Sequence, residues 1–372
     1  MANNGGAGNG KRVAVAMSGG VDSSVAAALL VEWGYEVVGV HLKLHDLPPE
    51  QKQGKSCCSL DDSRDARQVC AKLGIPFYVV DMVEEFEHRV IDYFVESYRG
   101  GLTPNPCVMC NRTIKSTLLL QKAREFGCDL LATGHYAGVR QNPETGNHEI
   151  LKPLDRGKDQ TYFLAGTPRE ELPRLVYPLA EYRKPAARQL AERTGLITWD
   201  KPDSQEVCFV PKDYRDFLLP RLGGQAPPAG AFVDRAGRVL GRHQGLAHYT
   251  VGQRRGLGLS NPAPLYVVEL NAERNEVVLG PEEELFSSAM TVSGLNWVSR
   301  LPPEAPLEVV AKIRYSHAGS PARLLPLGAE RARVEFHAPV RAITPGQAAA
   351  FYDGDVLLGG GWIDGRGEAE AS

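Results

Sequence analysis

The chain has 372 residues, of which 43% are hydrophobic and 23% charged, and its formal net charge is −3. This length is too great for one ordinary hydrophobic core, so two or three domains are expected. The composition is that of a soluble globular protein, and no run approaches the roughly 18 apolar residues of a membrane span. The net charge excludes a uniformly basic surface, so any nucleic-acid contact must depend on local basic patches.

Residues 1–10 are rich in glycine and asparagine, which predicts a flexible tail and not a signal peptide. The seven cysteines are an odd number in a long chain. They favour reduced thiols with chemical or metal-binding roles over a disulfide framework. A cytoplasmic protein with no membrane partner is therefore predicted.

From residue 11 to about residue 216, short apolar runs alternate with helical patterns. The predicted buried strands are 13–17, 36–42, 77–80 and 130–133. The predicted helices are 23–33, 62–73, 83–98, 114–126 and 184–194, the last ending at Gly195. This order predicts an α/β domain with a doubly wound parallel sheet.

After Gly223 the pattern changes to short strands separated by glycine and proline, namely 265–270, 276–279, 309–315, 331–336 and 355–358. Residues 223–230 and 281–288 are candidate linkers. The predicted domains are an α/β domain with a helical extension (11–222), a small central β domain (223–284) and a C-terminal β barrel (285–366). Residues 367–372 form a predicted tail.

The segment 17–24 (MSGGVDSS) lies where the first predicted strand meets the first helix. Its glycines allow backbone N–H groups to approach an anion, and the helix N-terminus adds a positive dipole end. Asp22 could cap the helix or hold Mg²⁺. An ordinary capped turn is the alternative interpretation. The segment resembles the pyrophosphate loop of the ATP pyrophosphatase superfamily, whose members adenylate a substrate oxygen and release pyrophosphate.

Residues 102–111 (LTPNPCVMCN) resemble the signature of bacterial and mitochondrial tRNA 2-thiouridylases, and further motifs follow in that family's order. They are 133–136 (TGHY), 158–164 (KDQTYFL), 203–204 (DS) with 208–209 (CF), 249–258 (YTVGQRRGLG), 314–315 (RY) and 344–347 (TPGQ). The resemblance covers residues 11–362. It implies ATP-dependent replacement of the 2-oxygen of a wobble uridine by sulfur.

The resemblance also implies site residues by position. The ATP-binding residues would be Ala16, Met17, Ser18, Gly19, Gly20, Val21, Asp22, Ser23, Leu42 and Gly134. The target base would contact Asn105, Pro106 and Cys107. The residues touching tRNA would be His135, Lys158, Asp159, Gln160, Arg314, Tyr315 and Gln347. The implied partners are tRNA and a sulfur donor such as a cysteine desulfurase or a sulfur carrier.

Adenylation makes the 2-oxygen a good leaving group, and sulfur must then arrive as a strong nucleophile, such as a cysteine persulfide. By resemblance, Cys208 would carry the persulfide and Cys110 would act as nucleophile and pair with it transiently. Both cysteines lie in segments without strong periodicity, which predicts catalytic loops. Cys70 and Cys128 are instead predicted to be small buried hydrophobic residues.

Cys107 stands where many family members have an aspartate with an acid/base role. The change creates the spacing Cys107-x-x-Cys110, which with Cys208 could hold a [4Fe–4S] cluster. Cys57 and Cys58 could join either scheme or neither. The sequence leaves the cluster and persulfide mechanisms open.

Residues 234–255 contain five arginines and one acid. The arginines are Arg235, Arg238, Arg242, Arg254 and Arg255. Together with His243, His248 and Tyr249 they predict an RNA-binding surface, with an ordinary solvated β surface as the alternative. Two other functions are kept open. One is a ligase-like enzyme in which an amine attacks the adenylate, although that reaction needs no thiol. The other is a non-catalytic RNA-binding protein that carries a cluster.

Overall fold

The computed structural model describes residues 8, 10–45, 60–203, 207–210, 213–222 and 228–367. Some predictions concern residues outside these ranges. They are the roles of Cys57, Cys58 and Ser204, most of the linker 223–230, and nearly all of the two predicted tails. Within the described part, no helix combines the length and apolarity needed to cross a membrane.

Seven strands lie among the described residues of the first half of the chain. They are β1 Arg12–Ala16, β2 Glu36–Lys43, β3 Phe77–Asp81, β4 Leu130–Ala132, β5 Gly138–Gln141, β6 His148–Leu151 and β7 Leu175–Val176. Five of them form a parallel sheet in the order β3-β2-β1-β4-β7. The four predicted strands are confirmed to within one residue at each end, but β3 lies at the sheet edge with Tyr78 and Val79 exposed, so its predicted burial is wrong. The two-residue strand β7 is too short to show a period.

The α-helices are α1 Val21–Glu32, α2 Leu60–Leu73, α3 Val83–Phe86, α4 Asp92–Arg99, α5 Pro106–Cys110, α6 Leu119–Glu125, α7 Lys184–Arg193 and α8 Tyr214–Arg221. The π-helical segments Glu87–Ile91 and Asn111–Leu118 join α3 to α4 and α5 to α6. Short 3₁₀ helices cover Arg156–Lys158, Thr161–Leu164, Arg169–Arg174, Leu246–His248 and Glu282–Leu285.

The helical run that ends at Glu125 begins at Pro106, so its predicted start at residue 114 is wrong. The side chain of Asn105 accepts a hydrogen bond from Val108 N at 3.1 Å and caps the helix, and Pro106 occupies the first turn. Both are common helix-start signals. Cys107 and Cys110 therefore lie on a helix, and the prediction of a loop around Cys110 is also wrong.

The parallel sheet is covered on both faces, as a doubly wound fold requires. Val13 and Val15 of β1 pack on one side with α1, α2 and α7. Ala14, between them, belongs to the core on the other side, with the helices that run from residue 83 to residue 125. All three side chains are fully buried. The alternation follows from the two-residue period of a strand.

From Gly230 onward the secondary structure of the described residues consists of strands, apart from the two short 3₁₀ helices Leu246–His248 and Glu282–Leu285. Strands β8 Gly230–Val233, β9 Val239–His243, β10 Tyr266–Asn271 and β11 Glu276–Gly280 form a sheet in the order β10-β11-β8-β9. Six more are β12 Phe286–Trp297, β13 Leu307–Lys312, β14 Ser320–Pro326, β15 Arg331–Arg341, β16 Ala348–Asp353 and β17 Val356–Arg366. They run in the order β12-β15-β14-β13-β16-β17, and pairing of β12 with β17 closes the barrel.

The predicted linker 281–288 is wrong at its C-terminal end, because β12 already begins at Phe286. The hairpin β5–β6 adds to the barrel's sheet through the register Leu151↔Val356. In addition, Ile150 N donates to Ser299 Oγ at 3.0 Å. The hairpin thus attaches the barrel to the α/β domain. The domain boundaries given above stay a prediction.

Candidate functional site

The loop between β1 and α1 has the geometry of an anion-binding turn. Gly19 has a φ of +74°, and a Cβ there would lie 2.3 Å from the carbonyl oxygen of Asp62, so only glycine fits. Ser18 N donates to Ser23 Oγ at 3.2 Å, and Ser24 Oγ donates to Gly20 O at 2.8 Å. No side chain of the N-cap residue covers the start of α1. The helix N-terminus can therefore face an anion.

A cavity of about 210 Å³ opens beside this loop. Seven of the residues predicted to bind ATP line it: Ala16, Met17, Ser18, Asp22, Ser23, Leu42 and Gly134. The predicted residues Gly19, Gly20 and Val21 form the turn and the first residue of α1. The apolar part of the lining includes Val40 and Leu44, neither of which was predicted. The cavity thus has an apolar side suited to a base and a polar side suited to phosphates.

Gly134 approaches the loop more closely than any other residue type could. A Cβ there would lie 2.7 Å from Ser23 N. The close approach brings the next residue, His135, into the cavity wall together with Gln160. These two residues were predicted to touch tRNA, and the structure places them beside the predicted nucleotide site.

His135 is held as a neutral imidazole. Burial, with a smaller effect of the Lys115 charge, lowers the pKa of His135 to about 3. Its Nδ1 lies 2.6 Å from Thr133 Oγ1. A neutral ring adds no charge next to a nucleotide.

We therefore predict that the His135 resonances in NMR spectra of the folded protein do not titrate between pH 8 and pH 4.5. The unfolded chain binds this proton near pH 6.5. The contribution of His135 to stability is thus complete above that pH and declines as the pH falls toward about 3. A His135→Asn variant identifies the signal and should show a flatter acid limb of stability. A folded-state midpoint near 6.5 would contradict the prediction.

The cysteine-bearing helix is tied to the barrel. Gln347 Nε2 donates to Thr103 O at 3.1 Å and to Pro104 O at 3.2 Å, just before α5. Asn105 Nδ2 donates to Tyr162 Oη at 3.4 Å, and Tyr162 Oη donates to Ala348 O at 2.8 Å. The barrel therefore fixes the position of the residues predicted to hold the target base.

Cys107 and Cys110 are three residues apart on α5, so they lie on one side of the helix. Cys110 is buried, whereas Cys107 is half-buried. Asn111 Nδ2 donates to Cys107 O at 2.9 Å. The π-helical segment that follows carries Lys115 into the wall of the cavity. One continuous helical run therefore presents both cysteines and a cavity cation.

Cys208 lies in a turn, as predicted. Its neighbour Phe209 is buried and packs edge-on against Phe86 and Phe94, with ring centroids 5.6 and 5.2 Å apart. Cys110 is part of the same hydrophobic cluster, and Cys208 packs against it. Both predicted catalytic cysteines therefore contact the same large hydrophobic core, which includes residues of the α/β domain and of the barrel.

The predicted [4Fe–4S] site on Cys107, Cys110 and Cys208 stays a prediction. Among the described residues, no three His, Cys, Asp or Glu side chains lie close enough together to hold a metal ion. Cys107, Cys110 and Cys208 all belong to the described part of the chain and do not form such a group.

Cys70 and Cys128 are buried, as predicted for structural residues. Burial raises the pKa of the Cys70 thiol to about 12 and also raises that of Cys128. Neither side chain is a thiolate near neutral pH, which is the form that sulfur chemistry requires.

The other residues predicted to touch tRNA occupy different environments. Asp159 accepts hydrogen bonds from Thr161, and Arg314 donates to the backbone carbonyl of Arg341 at 3.2 Å. Tyr315 is 42% exposed and stacks on Phe163 with ring centroids 4.6 Å apart. Tyr315 is therefore free to offer a ring face, whereas Asp159 and Arg314 already have structural contacts.

The predicted arginine surface is only partly available. Arg235 pairs with Glu284 at 2.7 Å, and Arg238 pairs with Asp234 at 2.6 Å. Arg242, Arg254 and Arg255 are exposed.

The predicted base contacts of His243 and Tyr249 are wrong, because both side chains are buried in the core of the central sheet. His243 Nε2 donates to Asn275 O at 3.0 Å, and His243 Nδ1 accepts from Gly245 N at 2.9 Å. The rings of His243 and Tyr249 pack edge-on. His248 is half-buried. A position near a run of arginines does not show whether an aromatic residue is exposed or lies in the core, and only the fold decides between the two.

Several charged residues of the site were missed by the sequence interpretation. Lys184 is 7% exposed, and its Nζ lies 2.8 Å from Asp22 Oδ1 and 2.7 Å from Asp203 Oδ1. Lys201 Nζ donates to Gly19 O of the loop at 2.9 Å and also contacts Asp62 and Asp65. Lys201 lies two residues before the 203–204 motif, whereas Lys184 carries no comparable sequence signal, since charges at helix starts are common.

Three family models match the chain. They are described as the tRNA methyl transferase HUP domain (residues 11–212), the tRNA methyl transferase PRC-barrel domain (residues 215–281) and the aminomethyltransferase beta-barrel domain (residues 287–363). Together they span the α/β domain, the central sheet and the barrel.

Similar proteins carry a different functional description. The chain is 52% identical over 360 residues to the tRNA-specific 2-thiouridylase MnmA of Geobacter metallireducens, covering 95% of this chain and 97% of that protein. It is 51% identical over 362 residues to the protein of that name from Carboxydothermus hydrogenoformans, covering 96% and 98%. A solved 4-thiouridine synthetase–RNA complex with ATP matches at 16% identity and a TM-score of 0.33, covering 57% and 52%. That structural similarity is too low to carry an argument.

Proposed function

The chain belongs to the tRNA-specific 2-thiouridylase family, and from this premise we propose how its residues thiolate tRNA. The enzyme is a sulfurtransferase that acts on tRNA. The proposal is that it activates the 2-oxygen of the wobble uridine with ATP and replaces it with sulfur carried by a cysteine persulfide. The observation that carries the proposal is the helical run from Pro106, which presents Cys107 and Cys110 and then lines the cavity beside the loop with Lys115.

In the first step, the uridine 2-oxygen attacks the α-phosphorus of ATP, the base loses its N3 proton, and pyrophosphate leaves. The loop residues Ser18 and Ser23 and the N-terminus of α1 would bind the pyrophosphate. Lys115, in the cavity wall, would offset the negative charge that develops at the α-phosphate. The apolar wall at Leu42 would contact the adenine.

Mg²⁺ is expected with ATP, where it would neutralise phosphate charge. Asp22 is a carboxylate in the wall of the cavity, and one carboxylate together with substrate phosphates is a common way to hold this ion. Both Asp22 oxygens lie 2.8 Å from Lys184 Nζ, so Asp22 would bind Mg²⁺ only when that ion pair opens. Mg²⁺ bound with ATP needs no site made entirely of protein ligands.

In the second step, the terminal sulfur of a Cys208 persulfide attacks C2 of the adenylated uridine, and AMP leaves. The product is a disulfide between C2-bound sulfur and Cys208. The Cys110 thiolate then attacks the Cys208 sulfur and releases 2-thiouridine, leaving a Cys110–Cys208 disulfide. A thiol reductant supplies the two electrons that restore both thiols, and a sulfur donor reloads Cys208. The cluster mechanism that the sequence left open is the alternative to these persulfide steps.

Two alternatives explain less of the site. Attack of an amine on the adenylate needs no thiol and leaves Cys110 and Cys208 without a role. Methyl transfer, the reaction named in two of the family descriptions, needs neither a persulfide nor a pyrophosphate loop. The relatives that match over nearly the whole chain are named for thiolation.

Incubation of the purified enzyme with ATP, unmodified tRNA and a cysteine desulfurase tests the proposal. AMP, pyrophosphate and 2-thiouridine should form in equal amounts, and all three should require tRNA. ADP as the tRNA-dependent product would reject adenylation. Pyrophosphate release without 2-thiouridine, at any supply of persulfide, would favour the amine reaction. A cytoplasmic location, expected from the sequence, stays a prediction.

Arg254→Ala and Arg255→Ala are predicted to weaken tRNA binding while ATP binding stays unchanged. Both side chains are exposed on the central domain and are available to phosphates. Each lost phosphate contact should reduce the slope of log Kd against log salt by about one unit. Filter binding at several salt concentrations measures this slope.

Arg238→Ala is the matched control, since Arg238 is exposed in the same surface but its charge is paired with Asp234. Arg238→Ala should reduce tRNA affinity and the salt slope clearly less than Arg254→Ala or Arg255→Ala. Equal tRNA affinity and equal slope in wild type, Arg254→Ala and Arg255→Ala would place the RNA surface elsewhere.

A further inference from the structure

The peptide between Gly19 and Gly20, in the loop between β1 and α1, has little steric constraint of its own. Both residues lack a Cβ, so clashes do little to fix its orientation. The next carbonyl, Gly20 O, accepts local hydrogen bonds from Ser23 Oγ at 3.1 Å and from Ser24 Oγ at 2.8 Å. Gly19 O instead accepts a hydrogen bond from Lys201 Nζ at 2.9 Å, across 182 residues of chain. A distant lysine therefore holds this peptide.

The orientation of this peptide decides where one amide of the loop points. In a trans peptide the C=O and N–H groups point in opposite directions. The bond from Lys201 to Gly19 O therefore directs the Gly20 N–H group to the opposite side. On that side Gly20 N donates to Ser18 Oγ at 3.4 Å, and Ser18 lines the predicted nucleotide cavity. Because 3.4 Å is long for an N–H donor, this amide can donate to an anion instead.

Lys201 is itself held from two helices. Its Nζ lies 2.7 Å from Asp62 Oδ1 and also contacts Asp65, and both aspartates belong to α2. Its backbone carbonyl accepts a hydrogen bond from Arg188 Nη2 of α7 at 2.9 Å. Burial lowers the pKa of Lys201, but hydrogen bonds and charge from the two aspartates outweigh burial and raise the pKa above its usual value. The lysine is therefore a charged donor in a fixed position.

We propose that Lys201 is a positioning residue for ATP, which holds the Gly19–Gly20 peptide so that the Gly20 amide donates to the pyrophosphate part of the nucleotide. The inference rests on the proposed function, in which the loop binds that group. Glycines let the loop approach an anion closely, and Lys201 removes the flexibility that they bring. A donor with a fixed direction reduces the ordering that ATP binding requires. Two aspartates neutralise the ammonium, so its own attraction for phosphate is small.

Lys201→Met tests this role, because methionine has a similar shape but cannot donate a hydrogen bond. Isothermal titration calorimetry measures the Kd of ATP with Mg²⁺ and the Kd of AMP. The Kd of ATP should rise about tenfold, as expected for the loss of one hydrogen bond to a charged group. The Kd of AMP should stay close to the wild-type value, because AMP has the adenine but lacks the pyrophosphate.

A second measurement uses the tRNA-dependent release of pyrophosphate. In Lys201→Met the KM for ATP should rise more than kcat falls, because the Gly20 amide contacts the pyrophosphate group in bound ATP as well as in the transition state. A domain that is merely destabilised would instead weaken the binding of ATP and AMP alike.

Lys152→Met is the matched control. Lys152 Nζ also donates to a glycine carbonyl, Gly354 O, at 3.0 Å, but this contact joins the end of β6 to the barrel. Lys152→Met should bind ATP and AMP as the wild type does.

Repulsion of ATP by Asp62 and Asp65, which lose a cation in Lys201→Met, is the alternative cause of weaker ATP binding. Salt screens such repulsion. If the orientation of the peptide is the cause, the ratio of the variant and wild-type Kd values for ATP should be the same at low and at high salt.

If thermal melting shows that Lys201→Met does not fold, Lys201→Met/Asp65→Asn takes its place, since it removes one of the two carboxylates that lose their contact with Lys201. This double variant should fold and show the same loss of ATP affinity. Unchanged ATP affinity, equal losses of ATP and AMP affinity, or a loss that disappears at high salt would overturn the inference. A wild-type enzyme that releases no pyrophosphate with tRNA would instead reject the proposed function.

Discussion

Cys208→Ser is expected to eliminate 2-thiouridine formation, by at least about a thousandfold, while tRNA-dependent pyrophosphate release persists. Serine is close in size to cysteine but cannot carry a transferable sulfur atom. In the proposed mechanism adenylation takes place at the loop and cavity, and Cys208 is not among the residues that line this cavity. Thiouridine is measured by nucleoside mass spectrometry, and pyrophosphate in the same reaction.

Cys110→Ser should also prevent product release, but with a different signature. Without the Cys110 thiolate, the disulfide between C2-bound sulfur and Cys208 should accumulate as a covalent enzyme–tRNA adduct on non-reducing denaturing gels. Added thiol should release 2-thiouridine from it. Cys128→Ala is the control, because Cys128 is buried in the core, and it should retain activity. Full thiolation by Cys208→Ser would exclude the persulfide assignment.

Cys107→Asp separates the persulfide mechanism from the cluster mechanism that the sequence left open. In the persulfide mechanism, an aspartate restores the commoner family residue, and substantial activity should remain. In a cluster mechanism, one thiolate ligand would be replaced by a carboxylate, which suits iron–sulfur clusters poorly. The iron and sulfide content of the same samples is measured after anaerobic purification. Cluster-dependent thiolation that is lost in this variant would overturn the mechanism proposed above.

Asp22→Ala is expected to abolish adenylation, since it removes the carboxylate that lines the cavity beside the loop. The loss should appear in pyrophosphate release and in thiolation to the same extent, unlike the losses predicted for the cysteine variants. The fold should persist, because Lys184 keeps its contact with Asp203 at 2.7 Å. Thermal melting checks that point.

Asp65→Asn serves as the comparison for Asp22→Ala. Asp65 contacts Lys201 near the loop but shares that lysine with Asp62. Removing its charge should therefore change pyrophosphate release only slightly. Normal adenylation by Asp22→Ala would move the site of pyrophosphate and magnesium binding away from the loop.

The sequence by itself determined the parallel sheet and the loop. Buried strands in a doubly wound sheet are continuous apolar runs, so β1, β2 and β4 can be identified from the residues that form them. The edge strand β3 is also an apolar run, although Tyr78 and Val79 are exposed. The loop is equally local, because its turn, its glycines and the start of α1 lie within residues 17–24. Hence most of the predicted ATP residues line one cavity.

The sequence predicted helix starts and side-chain burial less well than it predicted the parallel strands and the loop. The start of α5 at Pro106 carried its signal in Asn105 and Pro106, but the same residues are common in loops. His243 and Tyr249 were assigned to a surface because they neighbour arginines, whereas the sheet buries both. A short alternating strand has two faces, and which one is covered depends on what packs against it.

Only the tertiary structure decided how the distant parts of the site meet. Lys184 contacts Asp22 across 162 residues of chain, and Gln347 contacts Thr103 across 244. The hairpin β5–β6 joins the sheet of the barrel, which lies far along the chain. Local propensity and periodicity extend over a few residues and carry no information about such pairings. These contacts form because the sheet order and the closure of the barrel bring the segments together.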